Sequence, residues 1–142
     1  MTINELQDEI IEEFSVFDEW LEKYNYLIDL SKDLPEIDSK FKTKENVIEG
    51  CQSKVWLHAE LVDGKIVFYA DSDAIITKGI VALLVKILSN QKPKDIISNK
   101  LYFIDEIGLQ QNLSPTRSNG LLAMIKQMRL YAIAYDAKMN KN

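Results

Sequence analysis

Residues 54–88, KVWLHAELVDGKIVFYADSDAIITKGIVALLVKIL, decide the fold of this chain. Apolar residues alternate from Lys54 to Val62, which predicts a strand with one buried face. Asp63-Gly64 then supplies a two-residue hairpin turn, and Lys65 to Ala70 is the predicted return strand. Ala74 to Leu88 is apolar almost all round, as is typical of a helix at the centre of the packing. The stretch therefore predicts a β-hairpin followed by a buried helix.

The residues on either side of the hairpin complete this prediction. The alternation divides the first strand into an apolar face and a mixed face: Val55, Leu57, Ala59 and Leu61 against Trp56, His58, Glu60 and Val62. Asp71-Ser72-Asp73 offers three candidate N-caps for the buried helix. Val47-Ile48 predicts a short third strand. We therefore expect an antiparallel sheet of about three strands.

Helical patterns precede the hairpin. Thr2 and Glu5 match a capping box, which predicts a helix from residue 2, and its apolar positions are Leu6, Ile10, Phe14 and Phe17. A second helical pattern runs from Trp20 to Leu30 and must end before Pro35. The polar residues 36–45 predict a solvated connection.

Further helical patterns follow the buried helix. Short pieces are expected at Lys94 to Ser98 and at 103–109, and Ser114-Pro115 begins a long last helix. The buried stripe of that last helix is Leu121, Met124, Ile125, Met128, Tyr131 and Tyr135. The tail after Lys138 is expected to be frayed. Helices, then a short antiparallel sheet, then helices predict an α+β fold with the helices on one face of the sheet.

Length and charge restrict the class of protein. A chain of 142 residues predicts one domain spanning 1–142, and a net charge of -5 argues against a nucleic-acid partner. The acidic N-terminus lacks the features of a secretory signal, so we expect a cytoplasmic location. The most apolar run, Gly79 to Leu88, contains Lys86 and is too short to cross a bilayer. A membrane partner is therefore not expected either.

Cys51 is the only cysteine. One thiol excludes an internal disulfide, a CxxC redox pair and a thiolate cage for zinc or an iron–sulfur cluster. It leaves a carrier, a nucleophile, a sensor or a small buried apolar residue. Gly50 before it permits a turn, and Gln52-Ser53 after it are polar, which places the thiol on a loop.

Three segments resemble the signature segments of the SufE family of sulfur-acceptor proteins, in the same order and over nearly the whole chain. They are EGCQSKVW at 49–56, DSDAIITKG at 71–79 and LSPTRSNGL at 113–121. The resemblance implies a SufE/IscU-like fold. It also implies an accessory protein of iron–sulfur cluster assembly that is not itself an enzyme.

The implied partner is a SufS-like cysteine desulfurase, which holds sulfur from free cysteine as a persulfide. The implied role of Cys51 is to take that terminal sulfur, stimulate the desulfurase and pass the sulfur to a SufBCD-like scaffold complex. No cofactor or metal is implied for this chain, since the pyridoxal phosphate belongs to the desulfurase. The scaffold proteins that share the fold hold clusters with several cysteines, which this chain lacks. Whether it forms a homodimer stays open.

Around Cys51, the resemblance adds weight to Asp73 and Arg117 as supporting or partner-facing residues. From the sequence, Asp73 is most simply a helix cap, and Arg117 begins a helix where a cation does not help the dipole. Arg117 is thus a candidate to pair with a carboxylate near Cys51 or to stabilise its thiolate, and its position fits a plain surface arginine equally well. Gly50 is the candidate hinge. Gln52 and Ser53 are candidates either to hydrogen-bond the sulfur or to satisfy the loop backbone.

Two other classes of function remain open at this point. A hydrolase or transferase that uses Cys51 as nucleophile would need His58, the only histidine, as its base. We expect His58 to be structural or exposed, and not a base or a metal ligand. The second class is an interaction module in which the cysteine is inert.

Overall fold

The computed structural model describes residues 1–140. Two helices, α1 (Ile3–Ser15) and α2 (Trp20–Asp33), precede the strands β1 (Val55–Val62) and β2 (Lys65–Ser72). Four helices follow: α3 (Ile75–Leu88), α4 (Pro93–Ser98), α5 (Phe103–Glu106) and α6 (Pro115–Met139). Short 3₁₀ turns lie at Ser39–Phe41, Lys44–Asn46 and Gln110–Asn112. The predicted α+β order is therefore confirmed.

The hairpin has the predicted register and turn. β1 and β2 pair antiparallel from Val55 opposite Ser72 to Val62 opposite Lys65. Asp63 and Gly64 both have left-handed backbone angles, with φ of 52° and 78°. Two consecutive positive φ values twist a tight turn in the sense of the flanking strands, which is why Asp-Gly favours this hairpin.

The predicted third strand at Val47-Ile48 is wrong. Among the described residues the sheet has two strands, and Val47 forms only an isolated bridge with Trp56. The Ile48 N–H donates to the Val55 carbonyl at 2.9 Å, but the chain then turns at Gly50, where φ is +93°. A single bridge forms because the backbone that would continue the ladder leads away into residues 49–54, which carry Cys51 and are called the Cys51 segment below.

The core lies between the apolar face of the hairpin and the helices. α3 is buried on nearly every side and contacts both α2 and β2. It approaches α2 so closely that a Cβ added at Gly79 would lie 2.4 Å from the Leu27 carbonyl oxygen. α6 covers the first strand, with the Tyr135 hydroxyl donating to the Ala59 carbonyl at 3.0 Å. These contacts place α3 and α6 on the apolar face of the hairpin.

The mixed face of the hairpin is covered by the polar connection. Phe41 stacks on the His58 ring with centroids 3.7 Å apart. The Lys42 ammonium lies 2.7 Å from the Asp71 carboxylate, and the Lys78 ammonium lies 3.3 Å from it. The connection therefore lies against the sheet through a ring stack and an ion-pair network.

Two helix caps form as predicted and one does not. The capping box of Thr2 and Glu5 is present, and the Ser114 hydroxyl accepts the Arg117 N–H at 3.3 Å. At α3, by contrast, the N-cap is Ala74, which makes no side-chain cap bond. Asp71-Ser72-Asp73 is not the cap because β2 continues to Ser72 and both aspartates are engaged elsewhere.

The end of the chain is helical further than expected. Fraying is predicted after Lys138, but α6 continues one residue further, to Met139. Residues 141 and 142, where the rest of that prediction falls, lie outside the described part. Within residues 1–140 no helix combines the length and the apolar character needed to cross a membrane.

Candidate functional site

Cys51 lies on the segment between the isolated bridge and β1. Gly50 precedes it in a left-handed conformation that side-chain-bearing residues resist. The thiol is partly buried and donates a weak hydrogen bond to the Gly120 carbonyl of α6, with Sγ and oxygen 3.7 Å apart. A Cβ at Gly120 would lie 3.5 Å from Sγ, an ordinary contact distance. The thiol therefore rests directly on the second turn of α6.

A cavity of about 300 Å³ opens beside the thiol. Its lining comes from the Cys51 segment, the first turns of α3, and the first turns of α6: Cys51, Gln52, Ser53, Thr77, Ile80, Ser114, Thr116, Arg117, Gly120 and Met124. Several α6 residues line the same cavity because they are three or four positions apart, and residues at that spacing share one face of a helix. The thiol thus faces a space large enough for an extra sulfur atom or a small ligand.

The charge of this cavity is one-sided. Its polar side chains are hydroxyls, one amide, the thiol and the Arg117 guanidinium, and none is a carboxylate. Acidic residues outnumber basic ones by 22 to 17 in the chain, so the cavity differs in sign from the protein as a whole. Burial raises the pKa of the Cys51 thiol, which is therefore neutral at pH 7. The cavity favours an anion, although the thiol itself is protonated there.

Asp73 anchors the C-terminal end of the Cys51 segment. Its carboxylate accepts the Lys54 N–H at 3.0 Å, and its own N–H donates to the Lys54 carbonyl at 3.2 Å. This reciprocal pair holds the backbone three residues after Cys51. The structure thus corrects the predicted role of Asp73, which ties the loop to the end of the sheet and does not cap α3.

Asp71 supports the other end of the segment. Its carboxylate binds Lys42 on the connection and Lys78 on α3, and it also accepts the Ser72 N–H at 2.8 Å. Burial opposes ionisation of this carboxyl group, but these cations and the N–H together hold its pKa below the ordinary value. The connection that leads to Cys51 is therefore fixed by a charged, largely covered carboxylate.

The structure brings most of the predicted site residues together. Cys51, Gln52, Ser53 and Arg117 line one cavity, and Gly50 makes the turn that presents them. Gln52 and Ser53 do not receive the thiol proton, which goes to the Gly120 carbonyl.

The predicted carboxylate partner of Arg117 is not found. No carboxylate of the described residues lies within 4.0 Å of its guanidinium.

Sequence reasoning missed several residues of this site. Thr77, Ser114, Thr116 and Gly120 line the cavity although none was singled out as a site residue. All four lie inside the segments 71–79 and 113–121, and that was the signal that could have found them. Their convergence on Cys51 depends on how α3 and α6 pack, and no local pattern encodes it.

A Cys–His pair is not formed. His58 lies on the mixed face of the hairpin, stacked on Phe41 with its Nε2 3.1 Å from Glu60, and it is absent from the lining of the Cys51 cavity. This agrees with the expected structural role of His58 and removes its support as a base for Cys51. Within residues 1–140 no group of three or more histidine, cysteine or acidic side chains is arranged to hold a metal.

A larger groove of about 870 Å³ lies at the other end of α3, beside the start of α1 and of α4. Its lining consists of lysines, amides, two hydroxyl residues and apolar residues, with Glu5 and Asp95, and it contains neither the cysteine nor the histidine. The smaller cavity is the candidate site because it alone contains the thiol.

Fold and site together define a class of protein: a small α+β unit that presents a single thiol at a cavity favouring anions. Within that class the chain belongs to the SufE family. The family model, described as an Fe-S metabolism associated domain, matches residues 8–132. The resemblance of the three sequence segments is thereby confirmed, and the protein is assigned to iron–sulfur metabolism.

Named relatives agree with this assignment. SufE-like protein 1, chloroplastic/mitochondrial, of Arabidopsis thaliana is 44% identical over 131 residues, which are 92% of this chain and 35% of that protein. An uncharacterized SufE-like protein of Rhizobium meliloti (strain 1021) is 39% identical over 127 residues, which are 86% of this chain and 91% of that protein. The chain thus spans about a third of the Arabidopsis relative and nearly all of the Rhizobium one.

A solved structure has the same fold. The solution structure of a hypothetical protein from Thermus thermophilus matches with a TM-score of 0.75 at 20% identity, covering 91% of this chain and 94% of that one. At this identity the likeness concerns the fold alone.

Proposed function

We propose that Cys51 accepts the terminal sulfur of a persulfide held by a pyridoxal-phosphate cysteine desulfurase of the SufS type. The chain then carries the sulfur to a SufBCD-like scaffold complex for iron–sulfur cluster assembly. In this role it is an accessory protein that stimulates the desulfurase, and it needs no cofactor of its own. A cytoplasmic location is part of the proposal.

The observation that carries the proposal is the position of the one thiol in a SufE-family chain. Cys51 faces a cavity of about 300 Å³ and rests on the Gly120 carbonyl, so a second sulfur has space to extend from Sγ. Sulfur transfer requires one thiolate to attack the outer sulfur of a persulfide. A bond forms from Cys51 Sγ to that sulfur, the desulfurase S–S bond breaks, and the desulfurase cysteine leaves as thiolate. One cysteine on this chain is sufficient.

Protonation limits when this reaction occurs. Because burial raises the pKa of Cys51, the free protein holds the thiol in its unreactive neutral form. A docked partner that draws the segment away from α6 would remove part of this burial. Gly50 is the hinge in this proposal, since its left-handed backbone is followed directly by the thiol. Protection in the free protein also slows oxidation of the sulfur.

The neighbouring residues have distinct roles in the proposal. Asp73 fixes the far end of the segment through Lys54, so that motion is confined to residues 50–53. Arg117 has no carboxylate partner among the described residues and lines the same cavity as Cys51, and in this proposal it stabilises the thiolate as it forms. Gln52 and Ser53 contribute polar groups to the same cavity and face the partner when the segment moves.

Intact-protein mass spectrometry after incubation with the cognate desulfurase and free cysteine tests sulfur acceptance. The expected result is a gain of one or more sulfur atoms, which Cys51→Ser lacks although it folds and binds the desulfurase. No gain in the presence of a bound, active desulfurase would contradict the proposal. The chain would then be a docking or regulatory module of this family.

Alkylation kinetics test the motion of the segment separately. Cys51 is expected to react slowly with a polar alkylating reagent alone and faster when a desulfurase whose own reactive cysteine has been replaced is present. Equal alkylation rates with and without the desulfurase would contradict the proposed hinge motion but not the proposed sulfur acceptance.

A further inference from the structure

The first turns of two helices meet at the Cys51 cavity. Thr77 belongs to the first turn of α3, and Ser114, Thr116 and Arg117 belong to the start of α6. The first N–H groups of a helix have no partner within the helix, and the dipole gives that end a partial positive charge. α3 begins at Ala74 without a side-chain cap, so no side chain of its own neutralises that end. The uncapped start of α3 therefore favours an anion in this space, and the dipole of α6, whose Arg117 N–H is already bonded to Ser114, adds to that preference.

No acidic side chain caps the start of α3. Two aspartates precede this helix and could have provided an anionic cap, yet Asp71 binds two lysines and Asp73 binds the Lys54 N–H. The cavity contains no carboxylate, while the Arg117 guanidinium lies on its wall. No carboxylate of the described residues therefore occupies the position at the start of α3 where an anion would bind.

Thr77 provides an independent indication of a ligand. Its side chain is more than nine-tenths buried, with 7% of its surface exposed, and it lines the cavity. The Thr77 hydroxyl makes no hydrogen bond to another described residue, and it is not among the polar atoms that are both fully covered and unpartnered. Because Thr77 lines the cavity, a ligand oxygen bound there would satisfy this hydroxyl.

We propose that this cavity binds a small sulfur oxyanion, sulfite, which removes the terminal sulfur from persulfidated Cys51 and leaves as thiosulfate. Sulfite matches the site in charge and fits within its volume of about 300 Å³, and its oxygens can accept hydrogen bonds from Thr77, Arg117 and free helix N–H groups. The proposal extends the proposed function, because it gives the carried sulfur a small-molecule acceptor besides a protein. It rests on that function only in requiring a persulfide on Cys51.

The step balances without an added oxidant or reductant. The sulfur lone pair of sulfite attacks the outer sulfur of the Cys51 persulfide and forms the S–S bond of thiosulfate. The S–S bond to Cys51 breaks, and its electron pair stays on Sγ as thiolate. That thiolate then takes a proton from water, since its pKa in this site is raised. Run backwards, the same step loads Cys51 from thiosulfate.

The test starts from protein loaded with inorganic polysulfide, so that no desulfurase is involved. After removal of the polysulfide, sulfite is added, and the loss of sulfur from Cys51 and the appearance of thiosulfate are followed together. We expect the discharge rate to saturate with sulfite and to fall competitively when sulfate, an unreactive oxyanion, is present. A rate that rises linearly with sulfite and ignores sulfate would overturn the proposal, because it is the behaviour of any accessible persulfide.

Matched variants locate the binding site. Arg117→Gln and Thr77→Val are each expected to raise the half-saturating sulfite concentration about tenfold, the usual effect of removing one hydrogen bond to a charged group. Lys126→Gln removes a cation from the same helix but outside the cavity, so it is expected to behave as the parent. Equal half-saturation in all three variants would also overturn the proposal.

The two proposals fail separately. A chain that takes sulfur from the desulfurase but shows no saturation with sulfite keeps the carrier function and loses the oxyanion site. A chain that the desulfurase does not load, but whose polysulfide-loaded form saturates with sulfite, keeps the oxyanion site and loses the carrier function.

Discussion

Gly79→Ala is expected to destabilise the protein through the contact between α2 and α3. An added Cβ would lie 2.4 Å from the Leu27 carbonyl oxygen and 2.8 Å from the carbonyl carbon, where ordinary contacts begin at 3.4 Å. The helices must therefore separate by about 1 Å at a position where the neighbour is backbone and cannot rotate away. Overpacking of a core costs up to about 3 kcal/mol. The gain in helix propensity offsets about 1 kcal/mol of this.

The net loss is thus about 2 kcal/mol, which lowers Tm by about 8 °C in a chain of this size. Thermal unfolding followed by circular dichroism measures it. Gly120→Ala is the matched control, because Gly120 is also a buried helical glycine but its added Cβ meets Cys51 Sγ at 3.5 Å. We expect that control to be neutral or stabilised by up to about 1 kcal/mol. A Gly79→Ala protein as stable as the Gly120→Ala protein would refute the reasoning.

Three further predictions concern the segment that carries the thiol. Asp73→Ala should lower the free energy of unfolding by about 1 kcal/mol, expose the Lys54 amide to hydrogen exchange and speed alkylation of Cys51. Asp73→Asn keeps an acceptor for that amide and is the control. Unchanged exchange of the Lys54 amide in the alanine variant would contradict this. Asp71→Asn should lose about 1–2 kcal/mol at pH 7 by weakening the contact with Lys42. The folded state lowers the pKa of Asp71, so the stability that the ionised carboxylate contributes is present above about pH 4 and is lost as pH falls through the folded pKa. The free energies of unfolding of the parent and Asp71→Asn should therefore converge in acid. A difference between them that does not change with pH would contradict this. The alkylation rate of Cys51 should rise with pH, and its midpoint in the folded protein should lie above the value of about 8.5 expected for the denatured protein. Equal midpoints in the folded and the denatured protein would exclude the effect of burial.

Most secondary structure was predictable because it depends on short-range patterns. The alternation from Val55, the Asp63-Gly64 turn and the Thr2 capping box each act within a few residues, and all three are confirmed. The errors arose where a tertiary contact competed with a local preference. Asp73 has the chemistry of an N-cap, but the Lys54 N–H at the end of the sheet takes its carboxylate. Val47 has strand character, but the turn at Gly50 stops the ladder after one bridge.

The order of helices and strands, the family, and Cys51 as the candidate sulfur carrier were all predictable from local features of the sequence. These follow from periodicity, turn chemistry, three co-linear segments and a count of one cysteine, none of which depends on distant contacts. The packing of the folded chain, by contrast, brings Thr77, Arg117 and Gly120 around the thiol, since they come from helices separated in the chain by several elements. It also decided the charge of the cavity, because the same packing that joins two helix N-terminal ends turns the nearby aspartates towards other partners.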